Sequence, residues 1–209
     1  MMGLILKDYY TLKNYLLKQL LVGLAVCLVV SVIIESAGFL PIMLMLMTVN
    51  ASISAFAIDE SAKWDGYALT LPLTRAQIVL ARYLFAAGSL LLTGAVGAVL
   101  GILLDSIVFH AGALEVLGAT AGVFLVYLLM NVLSLPVYYK MGVEKARLIT
   151  IILYLVPFAI FVGILPSIDL AVLESLPLGW IATGFAAAVC LLAILSCLLS
   201  VRIYRGKEF

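Results

Sequence analysis

Six long stretches of this chain contain no Asp, Glu, Lys or Arg: 19–34, 36–58, 83–104, 116–139, 148–168 and 175–201. No other feature limits the fold as strongly. About 20 apolar residues in a helix cover roughly 30 Å of hydrocarbon, and the runs are of that order. The two-residue alternation of a membrane β-strand is absent, so helices are the reading. With 66% hydrophobic and 11% charged residues in 209, the chain has too little polar surface to cover a water-soluble globule. A soluble enzyme and a disordered chain are both excluded. The sequence predicts an all-α polytopic membrane protein, a single transmembrane domain over 1–209. Its six spans lie near 16–35, 39–58, 83–104, 116–138, 148–165 and 179–201. Lys18 lies near the start of the first, where its long side chain can snorkel. The lipid bilayer is the first partner implied.

The charges sort by side. Lys7, Lys13 and Lys18 come at the start of span one. Lys63, Arg75 and Arg82 lie between spans two and three, Lys140, Lys145 and Arg147 between four and five, and Arg202, Arg205 and Lys207 after six. That is all 12 basic residues, and six spans put them on one side. Glu35, Asp105, His110, Glu115, Asp169 and Glu174 fall on the other. The positive-inside rule then makes both termini cytoplasmic. No charge is expected deep in a span, which argues against ion-coupled transport. Glu35, Asp105 and Glu115 are expected at the outer ends, in water. The three cysteines, Cys27, Cys190 and Cys197, sit in apolar runs and read as small hydrophobes. The N-terminal apolar stretch has no small-residue cleavage site and belongs to the first span.

Residues 1–15 read as an amphipathic helix. Lys7, Thr11, Asn14 and Lys18 follow one face, and Ile5, Tyr9, Leu12 and Leu16 another. Such a helix is expected to lie in the interface before the chain turns into span one, although a simple topogenic flank has the same composition. The connection 59–82 is the longest on the cytoplasmic side. Asp59 can cap a short helix over about 60–70, with Trp64, Tyr67 and Ala68 near one face and Glu60, Lys63 and Asp65 elsewhere. An exposed aromatic pair among charges suits a docking knob; it also suits the headgroup belt. Pro72 ends that helix. Thr74, Arg75, Ala76 and Gln77 form a capping box, with Leu73 and Ile78 placed as its hydrophobic staple. The loop 140–147 is short and basic, and the tail from Arg202 reads as topogenic.

Polar residues recur within two spans. Asn50 and Ser54 share a face of span two, and Asn131 and Ser134 lie in span four. They can line a cavity or bond helix to helix. Gly97-xxx-Gly101 and Gly118-xxx-Gly122 allow close backbone approach. Pro136 and Pro157 can kink their spans or mark helix ends. Residues 166–178 suit a short outer helix or re-entrant segment. No phosphate-binding GxxxxGK[ST] loop, HExxH or GxSxG is present. No cofactor, metal or catalytic group is therefore expected in this chain, and no nucleic-acid partner.

This organisation resembles the permease subunit of a type-two ABC exporter. The residues narrow the likeness. Asp59-Glu60, Trp64-Asp65, Leu71 to Arg75, Ile78-Val79 and Arg82-Tyr83 are similar to a small bacterial subfamily of these permeases, as are Gly3-Leu4, Leu6-Lys7-Asp8 and Tyr10. That subfamily includes exporter permeases for phenol-soluble modulins, which are amphipathic helical peptide toxins. The resemblance implies a bacterial plasma-membrane location and a separate cytoplasmic ATPase subunit that binds ATP and Mg. It implies an assembly of two permeases, identical or paralogous, with two ATPases. It makes the loop helix a coupling helix, with Asp59, Glu60, Lys63, Trp64, Asp65 and Tyr67 meeting the ATPase. Pro72, Thr74, Arg75 and Gln77 then head a lever that drives alternating access. A non-transporting immunity, regulatory or assembly protein is the competing reading; an intramembrane enzyme lacks its catalytic pair.

Overall fold

The computed structural model describes residues 2–68, 70–110, 112–164 and 178–207. The outer segment expected over 166–178 falls almost wholly outside them. Seven α-helices are described: α1 (Met2–Ile33), α2 (Phe39–Ser61), α3 (Trp64–Ala68), α4 (Arg75–Leu104), α5 (Ala113–Met141), α6 (Val143–Ile164) and α7 (Leu178–Arg205). A π-helical turn, Asp105–Phe109, extends α4. There is no strand among the described residues. Among the described residues, four helical stretches are long and apolar enough to cross a membrane: Phe39–Ser61, Arg75–Phe109, Ala113–Met141 and Gly179–Arg205. The helices α5 and α6 run on through Pro136 and Pro157.

Helix α2 packs between α1, α4 and α5, and α7 lies against α5 and α4. Between lipid-facing helices the hydrophobic effect gives little net attraction, so close packing and polar contacts decide the arrangement. Close packing is seen where α4 crosses the starts of α2 and α5. A Cβ built on Gly97 would meet Pro41 Cα at 2.7 Å, and one on Gly101 would meet Val116 Cγ1 at 2.9 Å. Glycine is required at both. The second pair behaves differently: a Cβ on Gly118 or Gly122 meets nothing within 4 Å.

Three expectations are corrected. First, α1 is a continuous helix of 32 residues, about 48 Å long, with no turn near residue 15. No proline interrupts it, and its first turns are packed on protein. Leu4, Asp8 and Leu12, spaced by four, form the buried stripe, while Tyr9 is exposed. An aspartate in the buried stripe explains why hydrophobic periodicity misassigned the face. Second, α2 runs through Asp59 and Glu60 to Ser61, so Asp59 does not cap the loop helix, which covers only Trp64–Ala68. Third, Asp105 is 4% exposed rather than solvated. Its carboxylate accepts from the Gly112 N–H at 2.9 Å, and its carbonyl accepts from the His110 N–H at 2.8 Å. It organises the bend between α4 and α5.

The largest apolar core among the described residues lies where the start of α1 and the end of α7 come together. Leu4, Ala68, Ile78, Val79, Tyr139 and Tyr204 meet there, bringing α1, α3, α4, α5 and α7 together.

Candidate functional site

Four charged side chains meet near that core. Lys7 and Asp8 come from α1, Asp59 from the last turns of α2, and Arg82 from α4. Lys7 Nζ donates to both carboxylate oxygens of Asp59, at 2.7 and 2.8 Å, and lies 3.0 Å from Asp8 Oδ1. Arg82 Nη1 is 2.9 Å from Asp8 Oδ2, and Nη2 donates to Asp59. The side chains of Asp8 and Arg82 are 6% and 8% exposed. Charges this buried are tolerated only when paired. Two cations against two carboxylates give a neutral cluster. Aromatic faces extend it: the Arg82 guanidinium sits 4.7 Å from the Phe56 ring centre, and Lys7 Nζ sits 4.3 Å from that of Trp64.

Trp64 opens α3, so the loop helix is seated directly on this cluster. Lys63, in left-handed backbone at φ 51°, turns the chain from α2 into it. The rings of Trp64 and Tyr67 are 5.4 Å apart. Trp64 is half-buried and Tyr67 is 59% exposed. Asp65 Oδ1 accepts from the Tyr204 hydroxyl at 3.0 Å. Glu60 Oε2 accepts from the Val143 N–H at 2.8 Å, a carboxylate at the positive end of α6. A cavity of about 420 Å³ separates α3 from the α5–α6 junction, with Phe56, Trp64, Tyr138, Tyr139, Lys63 and Val143 among its walls. The six residues assigned to one surface therefore divide. Asp59, Glu60, Trp64 and Asp65 hold the loop to the bundle, while Lys63 borders the cavity with its side chain exposed and Tyr67 faces outward.

The start of α4 is built from local sequence. Thr74 has extended backbone; its hydroxyl accepts from the Gln77 N–H at 3.3 Å, and Gln77 Oε1 accepts from the Thr74 N–H at 3.0 Å. Pro72 is exposed just before it. Arg75 reaches away from its own helix, and Nη1 donates to the carbonyls of Tyr204, Arg205 and Lys207.

The polar residues of the spans are not brought together. Asn50 donates to the Leu46 carbonyl and Ser54 to the Asn50 carbonyl, on an outward part of α2. Asn131 and Ser134 are buried and donate to the Tyr127 and Met130 carbonyls of α5; Ser134 also meets the Tyr154 hydroxyl of α6 at 3.4 Å. Ser134 thus joins α5 to α6; other polar contacts also join helices, through the partners Thr93, Tyr83, Ser196 and Ser200, which sequence reasoning missed. Thr48 and Thr93 link α2 to α4 at 3.0 Å. Tyr83 bonds Ser196 and Ser200 at 2.7 and 2.8 Å, linking α4 to α7. Their four-residue spacing on α7 is the available signal. Asp8 was also missed as a buried partner.

A family model described as ABC-2 family transporter protein matches residues 3–205. The chain belongs to that family: it is a multi-pass membrane permease of an ABC transporter, a transport component and not itself the catalytic subunit. Permeases of this family generally work with an ATPase subunit. No curated protein and no solved structure matches the chain.

Proposed function

We propose that this permease is the membrane half of an ATP-driven exporter of the bacterial plasma membrane. It has six spans and cytoplasmic termini, and two copies, or one copy and a paralogue, work with two ATPase subunits that bind ATP and Mg. In this reading α3 is the coupling helix. The carrying observation is its seating. Tyr67 projects outward, while Trp64 rests on Lys7, whose partners lie on α1 and α2. A push on α3 is thus delivered to a cluster that joins α1, α2 and α4. The cargo is amphipathic or hydrophobic, with a peptide toxin or antimicrobial peptide favoured. An apolar groove of about 480 Å³ between α2, α4 and α5, walled by Met45, Gly94, Ala98, Ala121 and Phe124, supports a cargo with an apolar face.

The test is co-purification with an ATP-binding partner and measurement of its ATPase activity in the complex. Trp64→Ala with Tyr67→Ala is expected to weaken capture or to uncouple hydrolysis from transport of a synthetic amphipathic peptide into inside-out vesicles. A double variant that binds and couples normally removes α3 from the coupling role. A complex with no peptide-stimulated hydrolysis and no uptake favours a non-transporting membrane module.

A further inference from the structure

The last turn of α7 is attached to the loop helix more specifically than a topogenic tail requires. Tyr204 is 0% exposed, its ring 5.6 Å from that of Tyr139 on α5. Its hydroxyl donates to Asp65 on α3 at 3.0 Å. Beside it, the Arg75 guanidinium donates to the Tyr204 carbonyl at 3.1 Å, the Arg205 carbonyl at 2.5 Å and the Lys207 carbonyl at 3.2 Å. The final carbonyls of a helix have no partner within it, and a cation beside them is favourable. Arg75 is the first residue of α4. There its charge opposes the positive end of its own helix, so what favours an arginine at this position is the end of α7. The two contacts bracket the loop: Asp65 lies near its beginning and Arg75 at its end.

We propose that the end of α7 is a working part of the coupling surface, with Tyr204 as a positioning residue that splints α3 to α7 and Arg75 as one that ties the start of α4 to the same end of α7. Resting on the reading of α3 as coupling helix, this adds α7 to the helices that its displacement moves. Lys7 under Trp64 transmits to α1, the capping box transmits to α4, and Tyr204 transmits to α7.

Two measurements test it. In the permease alone, amide hydrogen exchange over 64–68 is expected to rise about fivefold in Tyr204→Phe and in Asp65→Ala, the effect of one hydrogen bond. Asp65→Asn keeps the acceptor and stays at the parent rate. The double variant Tyr204→Phe with Asp65→Ala exceeds neither single change, because both remove the same bond. In the complex, nitroxides are placed at Lys145→Cys on α6 and Arg202→Cys on α7, both exposed, after Cys27, Cys190 and Cys197 are changed to alanine. ATP is expected to shift their distance in the parent and in Asp65→Asn, and to lose that shift in Tyr204→Phe and Asp65→Ala. Unchanged exchange, no ATP-dependent shift in the parent, or an intact shift in both variants overturns the proposal. Trp64→Ala with Tyr67→Ala in the same complex separates the readings. If that change leaves coupling normal, both readings fall. If it uncouples while Tyr204→Phe and Asp65→Ala keep the shift, only the splint falls.

Discussion

Lys7 on α1 holds both carboxylate oxygens of Asp59 on α2, at 2.7 and 2.8 Å, from 52 positions away in the chain. Arg82 closes the arrangement from α4, bridging Asp59 and Asp8. The cluster is neutral only as a foursome. Its energetics are those of a buried network, in which losing one member strands the others.

Arg82→Ala is therefore expected to cost about 3–5 kcal/mol, because two carboxylates then share one lysine. Adding Asp8→Asn to Arg82→Ala restores the balance and recovers part of the loss. Lys7→Ala also leaves two carboxylates on one cation, but at the wetter edge of the cluster, where water reaches them, and costs less, about 1–3 kcal/mol. Thermal unfolding of the detergent-solubilised protein checks the order. A single Arg82 variant as stable as the parent, or no recovery in the double variant, shows that the cluster carries no such energy.

The two glycine pairs give opposite expectations. Gly97→Ala places a methyl group against the backbone of Pro41, 2.7 Å from its Cα, and α2 and α4 must part. Overpacking of this kind costs about 1–3 kcal/mol. Gly118→Ala meets nothing within 4 Å and gains up to about 1 kcal/mol of helix propensity. The two melting temperatures, measured in parallel, should move in opposite directions; equal shifts would refute the packing of α2 on α4.

Thr74→Ala removes the hydroxyl that accepts from Gln77 and costs about 1 kcal/mol, seen as faster amide exchange in the first turn of α4. Thr74→Asp supplies an equivalent acceptor and keeps the parent rate. Equal exchange in all three proteins would mean that the cap does not hold this turn.

What was legible in the sequence divides by range. The cap at Thr74 needs only four consecutive residues, so its chemistry is visible in the string. The helices likewise follow from runs of apolar residues. Asp59 shows where local reading fails. An aspartate at the edge of an apolar run looks like a cap, but its carboxylate is taken by Lys7 and Arg82, and α2 continues past it. That choice depends on the register of three helices, which no local pattern encodes. Asp8 was hidden for the same reason, since a buried aspartate interrupts the periodicity that would reveal its face. Glu60 and Asp65 were read as free to meet a partner; their bonds to Val143 and Tyr204 depend on where α6 begins and α7 ends.

Asp105 bears on how the permease is energised. An acid buried in a membrane protein is by default a functional mark, and proton coupling would need one that can release its charge. This carboxylate has a structural task, accepting from the Gly112 N–H at 2.9 Å while its backbone carbonyl receives the His110 N–H. Asp105→Asn keeps an acceptor, so it is expected to retain near-parental stability and, under the function proposed above, ATP-dependent uptake of an amphipathic peptide. Asp105→Ala leaves the Gly112 N–H without that acceptor and is expected to cost about 1–3 kcal/mol, with faster exchange confined to the α4–α5 bend. Thermal unfolding and peptide uptake into vesicles, with and without a proton gradient, separate the two roles. If Asp105→Asn folds normally yet abolishes uptake, or if uptake by the parent collapses with the gradient while ATP is present, Asp105 is a coupling group rather than a brace.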